Sequence, residues 1–165
     1  MQLLVVRHAR TEDRETFADS GKPDSERSLT AKGIRKMKSA ARGLRARVPS
    51  IDLLVSSPLR RAVETARIIA DVHGGIRIIE RDELAPGAAP EQLIEWLGSQ
   101  PANGPACIVG HEPDLSELLG VLLSNPAQNP RKLKKGSATL LEFAGPVVES
   151  GGRLLWHNSA ADLAS

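Results

Sequence analysis

A chain of 165 residues, 41% hydrophobic and 25% charged, has the size and composition of one soluble domain with its own core. Aromatic residues make up only 2% and tyrosine is absent, so Leu, Ile, Val and Ala must build that core, and stacking platforms for single-stranded nucleic acid are not expected. A formal net charge of +2 is no nucleic-acid signature, one cysteine excludes an intrachain disulfide, and no apolar stretch approaches the ~20 residues of a membrane span.

Residues 3 to 9, Leu-Leu-Val-Val-Arg-His-Ala, open on a continuous apolar run that predicts a strand buried on both faces. Arg7 interrupts the run too early for a signal peptide, so a cytoplasmic location is expected. Arg7 and His8 fall at the strand's C-terminal end, where open α/β sheets bind ligands. An arginine beside a histidine there is an anion binder next to a nucleophile or base; the plainer reading is an edge arginine and a capping histidine.

Residues 10–28 form a long polar connection, a candidate wall or lid, with Arg27 the basic residue nearest to where order resumes. Thr30 is placed to cap a helix with apolar residues at Ile34, Met37, Ala41, Leu44 and Val48, ended by Pro49. Its Lys32, Arg35, Lys36, Lys38, Arg42, Arg45 and Arg47 read first as a solvated face, and second as a docking surface for an acidic partner. Leu53 to Val55 predict a second buried strand, turned by Ser56-Ser57-Pro58, with Pro58 suited to a first helical position. The next helix carries Leu59, Ala62, Val63, Ala66, Ile69 and Ala70 on one stripe and puts Arg60 and Arg61 in its first turn, against the helix dipole.

A short strand follows at Ile76 to Ile79, then a loop over 81–89 and a short helix from Pro90. Ala106 to Gly110 predict another buried strand ending in His111, with Gly110 open to close approach by backbone or ligand. Pro113 opens the next helix, and Cys107 reads as a buried small hydrophobe. Residues 125–135 read as a surface loop ending in Arg131, Lys132, Lys134 and Lys135. Strands are expected at 137–143 and 152–157, and a loose tail at 158–165. His73 and His157 read as surface or sheet-edge histidines. The alternation implies α/β architecture: a mostly parallel sheet covered by helices on both faces, with a closing antiparallel pair at an edge.

Arg7-His8, the Ser57 to Arg61 turn and His111 thus converge on one sheet edge. Arginines bind phosphate in bidentate fashion, and a neutral imidazole is a nucleophile suited to phosphoryl transfer. A metal site lacks the usual spacings (no His-x-His, no His-Glu-x-x-His), and Gly-x-Ser-x-Gly is absent, so neither a metalloenzyme nor a serine hydrolase is expected.

Arg7-His8-Ala9, Ser57-Pro58-Leu59-Arg60-Arg61-Ala62 with Thr65-Ala66, and Val109-Gly110-His111 together resemble the histidine phosphatase superfamily. Arg27 to Gly33 and Glu83-Leu84-Ala85-Pro86-Gly87 are similar to its SixA-type phosphohistidine phosphatases. The resemblance implies a phosphoglycerate mutase-like three-layer sandwich, with residues 1–165 as a single domain. It implies His8 as covalent nucleophile, and Arg7, Arg61 and His111 as phosphate cradle, with Arg27 also reaching the substrate. Periodicity left Arg60 and Arg61 open; the family pattern selects Arg61. The general acid of larger members, expected in a Leu-x-Glu pattern, is replaced by Leu84-Ala85-Pro86, with Glu83 nearby but out of phase. Its loss suits a phosphorylated imidazole, a better leaving group than an alkoxide. The expected function is a metal- and cofactor-independent phosphatase of phosphohistidine on a protein such as a phosphotransfer domain. The alternatives are a phosphatase of small phosphate esters or nucleotides and a non-catalytic module that binds phosphorylated partners.

Overall fold

The computed structural model describes residues 1–101 and 103–165. Strands β1 (Gln2–Arg7), β2 (Leu53–Ser56), β3 (Ile78–Glu80), β4 (Ala106–Gly110), β5 (Ala138–Glu142) and β6 (Arg153–Asn158) form one sheet in the order β3-β2-β4-β1-β5-β6. The first four neighbours pair in parallel, and β5 and β6 close the β1 side antiparallel. Helices α1 (Arg14–Ala18), α2 (Ala31–Arg47), α3 (Arg60–Val72), α4 (Pro90–Gly98), α5 (Asp114–Leu122) and α6 (Ala160–Ala164) complete the chain.

Both sheet faces are covered, which is why β1 and β4 carry unbroken apolar runs. Leu4 and Val6 pack with Met37, Leu44, Ala66 and Ile69 of α2 and α3. Leu3 and Val5, alternating with them, pack with Leu93 and Leu97 of α4 and Leu115 and Leu119 of α5. This is the expected α/β architecture, with the antiparallel pair at the edge. Among the described residues no helix is long and apolar enough to cross a membrane.

Four local expectations need correction. Pro58 is not the first helical residue: Ser57 Oγ accepts from Leu59 N at 3.2 Å, that turn takes up Pro58, and α3 starts at Arg60. Residues 10–28 are not featureless, since α1 and a 3-10 turn at Asp24–Glu26 lie within them. Gly110 meets the side chains of Leu115 and Leu84, the nearest 3.0 Å from where a Cβ would stand, so its closeness serves packing.

The fourth is the tail, which forms α6. Ser159 caps it in a reciprocal capping box with Asp162. Leu163 is buried, and Arg47 donates to the carbonyls of Leu163 and Asp162. The approach to α2 is so close that a Cβ on Gly43 would stand 1.5 Å from the Leu163 carbonyl oxygen.

Candidate active site

His8 directly follows β1. Its amide donates to the Gly110 carbonyl at 3.1 Å, which ties it to the end of β4. The ring is buried, with Nδ1 2.8 Å from the carbonyl oxygen of Ala9. A carbonyl only accepts, so this bond assigns the ring proton to Nδ1 and leaves the lone pair on Nε2. Next to it, Thr65 Oγ1 accepts from the Ala9 amide at 3.0 Å and donates to the Arg61 carbonyl at 2.7 Å. One buried hydroxyl thereby spaces the exit of β1 from the first turn of α3.

His111 follows β4. Its ring centroid is 5.2 Å from that of His8, with the planes at 52°. Nε2 lies 2.8 Å from Ser57 Oγ, which already accepts from the Leu59 amide. A hydroxyl can accept twice and donate once, so this contact orients the His111 ring with either nitrogen carrying the proton.

The arginines arrive from separate elements. Arg7, ending β1, donates through Nη1 to the Leu133 carbonyl at 2.6 Å. Arg61, 2% exposed, donates through Nη1 to the Asp24 carbonyl at 3.0 Å and pairs through Nη2 with the Asp24 carboxylate at 3.1 Å. Arg27, also buried, donates to Asp24 Oδ1, to Thr11 Oγ1 and to the Glu12 carbonyl. Arg60, adjacent in sequence, is 58% exposed at its side chain and pairs with Glu64.

These groups line a cleft of about 380 Å³ that holds Arg7, His8, Arg27, Arg61 and His111 together, with Pro86 and Lys135 at its margin. The 10–28 segment supplies a wall through Thr11, Glu12, Asp13 and Arg14. Burial, with the positive charges of Arg61 and Arg7 nearby, depresses both imidazoles to about 3, so both are neutral at pH 7. Partial burial works to raise the Asp24 carboxyl, but the bond from Arg27 and the charge of Arg61 hold it below the usual carboxylate range.

Three buried nitrogens here, Arg7 Nε, Arg61 Nε and His111 Nδ1, have no hydrogen-bond partner among the described residues. Buried polar atoms without partners are rare and costly, and here they belong to three residues that line one cleft. The fourth such atom, Ser137 Oγ, belongs to the residue whose carbonyl accepts from the Arg7 amide. Two arginines and a histidine with unused hydrogen-bonding capacity, lining one small cleft, fit a tetrahedral oxyanion. Among the described residues no group of three or more His, Cys, Asp or Glu is placed to hold a metal ion.

Glu83 is turned to Arg81, which holds its carboxyl below the usual range, and it does not line this cleft. Asp24 and Glu12 escaped the sequence reading. For Asp24 the available signal was its i, i+3 spacing to Arg27 within a connection otherwise read as polar loop. His73 closes the end of α3 against carbonyls of Ile69 and Val48, and His157 pairs with Thr139 on the edge strand; neither lines the cleft.

Fold and cleft define an α/β protein with an arginine- and histidine-lined cleft at the carboxyl edge of its parallel strands. The family model described as the histidine phosphatase superfamily (branch 1) matches residues 3–86, and the chain belongs to that superfamily. It is 31% identical over 152 residues to an uncharacterized protein of Picosynechococcus sp., across 91% of this chain and 90% of the relative. Its fold matches a structure of the protein histidine phosphatase SixA complexed with tungstate, with TM-score 0.84, 20% identity and 99% of each chain covered. A phosphoserine phosphatase mutant of Entamoeba histolytica in complex with phosphoserine matches with TM-score 0.68 and 19% identity over 98% of each chain. The fold is thus the phosphoglycerate mutase-like sandwich that the motifs implied.

Proposed function

We propose that the protein is a phosphatase acting on phosphohistidine carried by a protein, with His8 as covalent nucleophile. The carrying observation is the set of unpartnered buried nitrogens, Arg7 Nε, Arg61 Nε and His111 Nδ1, on three residues that line one cleft with a neutral His8, whose Nε2 makes no hydrogen bond among the described residues. In this reading those three residues hold the equatorial oxygens as charge shifts during transfer. The Nε2 lone pair forms a bond to phosphorus as the bond from phosphorus to the substrate imidazole breaks. The departing imidazole takes its proton from solvent. Water then attacks the phosphorylated His8, phosphate leaves and the free imidazole is restored. Residues 1–165 act as one catalytic domain in this reading.

The choice of phosphohistidine rests on the carboxylates. Glu83 is locked to Arg81, Asp13 accepts from the Thr16 amide at the start of α1, and Glu112 accepts from Ser116 and Leu133. All three carboxylates are engaged with other partners, and a phosphorylated imidazole has the least need of a proton from an acid. A second reading, hydrolysis of small phosphate esters, is favoured by Glu12, which lines the cleft with an exposed carboxylate.

Phosphate release from a phosphohistidine-bearing phosphotransfer domain and from an aryl phosphate, side by side in excess EDTA, tests both readings. His8→Ala should reduce phosphohistidine turnover by roughly 10³-fold or more. Glu12→Gln should leave it within about threefold if the leaving imidazole needs no acid. Faster turnover of the ester, lost in Glu12→Gln, would move the assignment to the second reading.

A further inference from the structure

A second concavity, of about 1190 Å³ against 380 Å³ for the catalytic cleft, runs between α2, α6 and the loop before β5. Arg7, Arg10 and Lys135 line both, so the two adjoin. Arg35 and Lys36 enter it from α2, and Lys132 and Lys134 from the loop. None of Arg10, Arg35, Lys36, Lys132, Lys134 and Lys135 takes part in an ion pair among the described residues. Asp162, the carboxylate on the neighbouring α6, is turned to Ser159 in the capping box.

The basic loop is also not a free solvated run. Leu133 is fully buried, its amide donates to Glu112 Oε2 at 3.3 Å, and its carbonyl accepts from Arg7 Nη1 at 2.6 Å. Lys132 and Lys134, on either side of it, are therefore fastened to the rim of the cleft by the arginine that ends β1. Like charge held in place, with Asp162 acting on Lys134 only from beyond ion-pair distance, calls for an anionic partner. The cations are spread over three segments, which suits a row of carboxylates better than one phosphate. The groove has no aromatic lining residue for stacking bases.

We propose that this groove docks an acidic segment of the phosphorylated protein substrate. Carboxylates flanking the phosphohistidine lie on Arg35, Lys36, Lys132 and Lys134 while the phosphoryl group enters the cleft. The proposal rests on the phosphohistidine reading above.

The test uses two synthetic peptides with the same stable phosphotriazolylalanine, a phosphohistidine analogue, flanked by glutamates or by glutamines. Binding is read by fluorescence anisotropy. The glutamate peptide should bind roughly tenfold more tightly at low salt, with the advantage shrinking as salt rises. The double variant Arg35→Gln/Lys36→Gln, on α2 and outside the catalytic cleft, should bring the two peptides within about twofold while aryl phosphate turnover stays unchanged. Equal affinities in the unaltered protein, or a preference that survives the double variant, overturns the proposal. Failure of the phosphohistidine reading shows separately, as ester turnover without phosphohistidine turnover, because the glutamate–glutamine difference reports on the groove alone.

Discussion

Burial at His8 and His111 has a thermodynamic consequence. Their folded pKa values lie near 3 and the ordinary unfolded value is 6.5, so between these limits the unfolded chain binds more protons. Stability is fully present above about 6.5 and falls as pH drops. Between pH 6.5 and 5, above the carboxylate range, the two rings together should give a slope approaching roughly 2–3 kcal/mol per pH unit. Denaturant unfolding at stepped pH checks this, and a slope unchanged in His8→Asn/His111→Asn would refute it. Asp24 sets the orientation of Arg61 and Arg27, and small misplacements near the reacting atoms are costly. Asp24→Ala should lower kcat/KM by roughly 10- to 100-fold, and Asp24→Asn, which keeps an acceptor oxygen, by less. Glu83→Gln should stay within about threefold, since its carboxylate is engaged with Arg81; steady-state kinetics on phosphohistidine read both. His8 and His111 stood out in sequence because each directly follows an apolar strand. Asp24 did not, because a carboxylate in a polar connection has no periodicity to betray it, and its partner Arg61 lies 37 residues away in sequence.

Among the elements, β1, β2 and β4 and the long helices were legible because burial on two faces or one stripe writes a pattern into the sequence. α6 was not, because five residues with one buried leucine carry no measurable period. Its stability is tertiary: the close seat on Gly43, the bonds from Arg47 and the burial of Leu163. Leu163→Ala should cost about 2–3 kcal/mol and Ser159→Ala about 1 kcal/mol in denaturant unfolding. Gly43→Ala should lift α6 from α2 altogether, detected as loss of amide-exchange protection at Leu163, whose amide donates to the Ser159 carbonyl. Thr65 shows how an α3 residue on the buried face, which periodicity marks only as core, also spaces the site through its hydroxyl.

At the scale of the whole molecule, Cys107 lies in β4 between β2 and β1, fully buried, and burial pushes its thiol pKa up. The thiol should react with alkylating reagents only on global opening, because a central strand exposes last. The labelling midpoint in denaturant should coincide with the circular-dichroism midpoint; labelling well before it would place β4 in a separate, weaker unit. The sheet also fixes where chemistry enters. His8 lines the cleft, 5% exposed, with Nδ1 engaged by the Ala9 carbonyl, which leaves Nε2 as the nitrogen for a substrate to meet. On the proposed route the departing group leaves, and water arrives, along the line through that nitrogen. Two in-line inversions then cancel, and a phosphorus centre made chiral with oxygen isotopes and sulfur should emerge with its handedness retained.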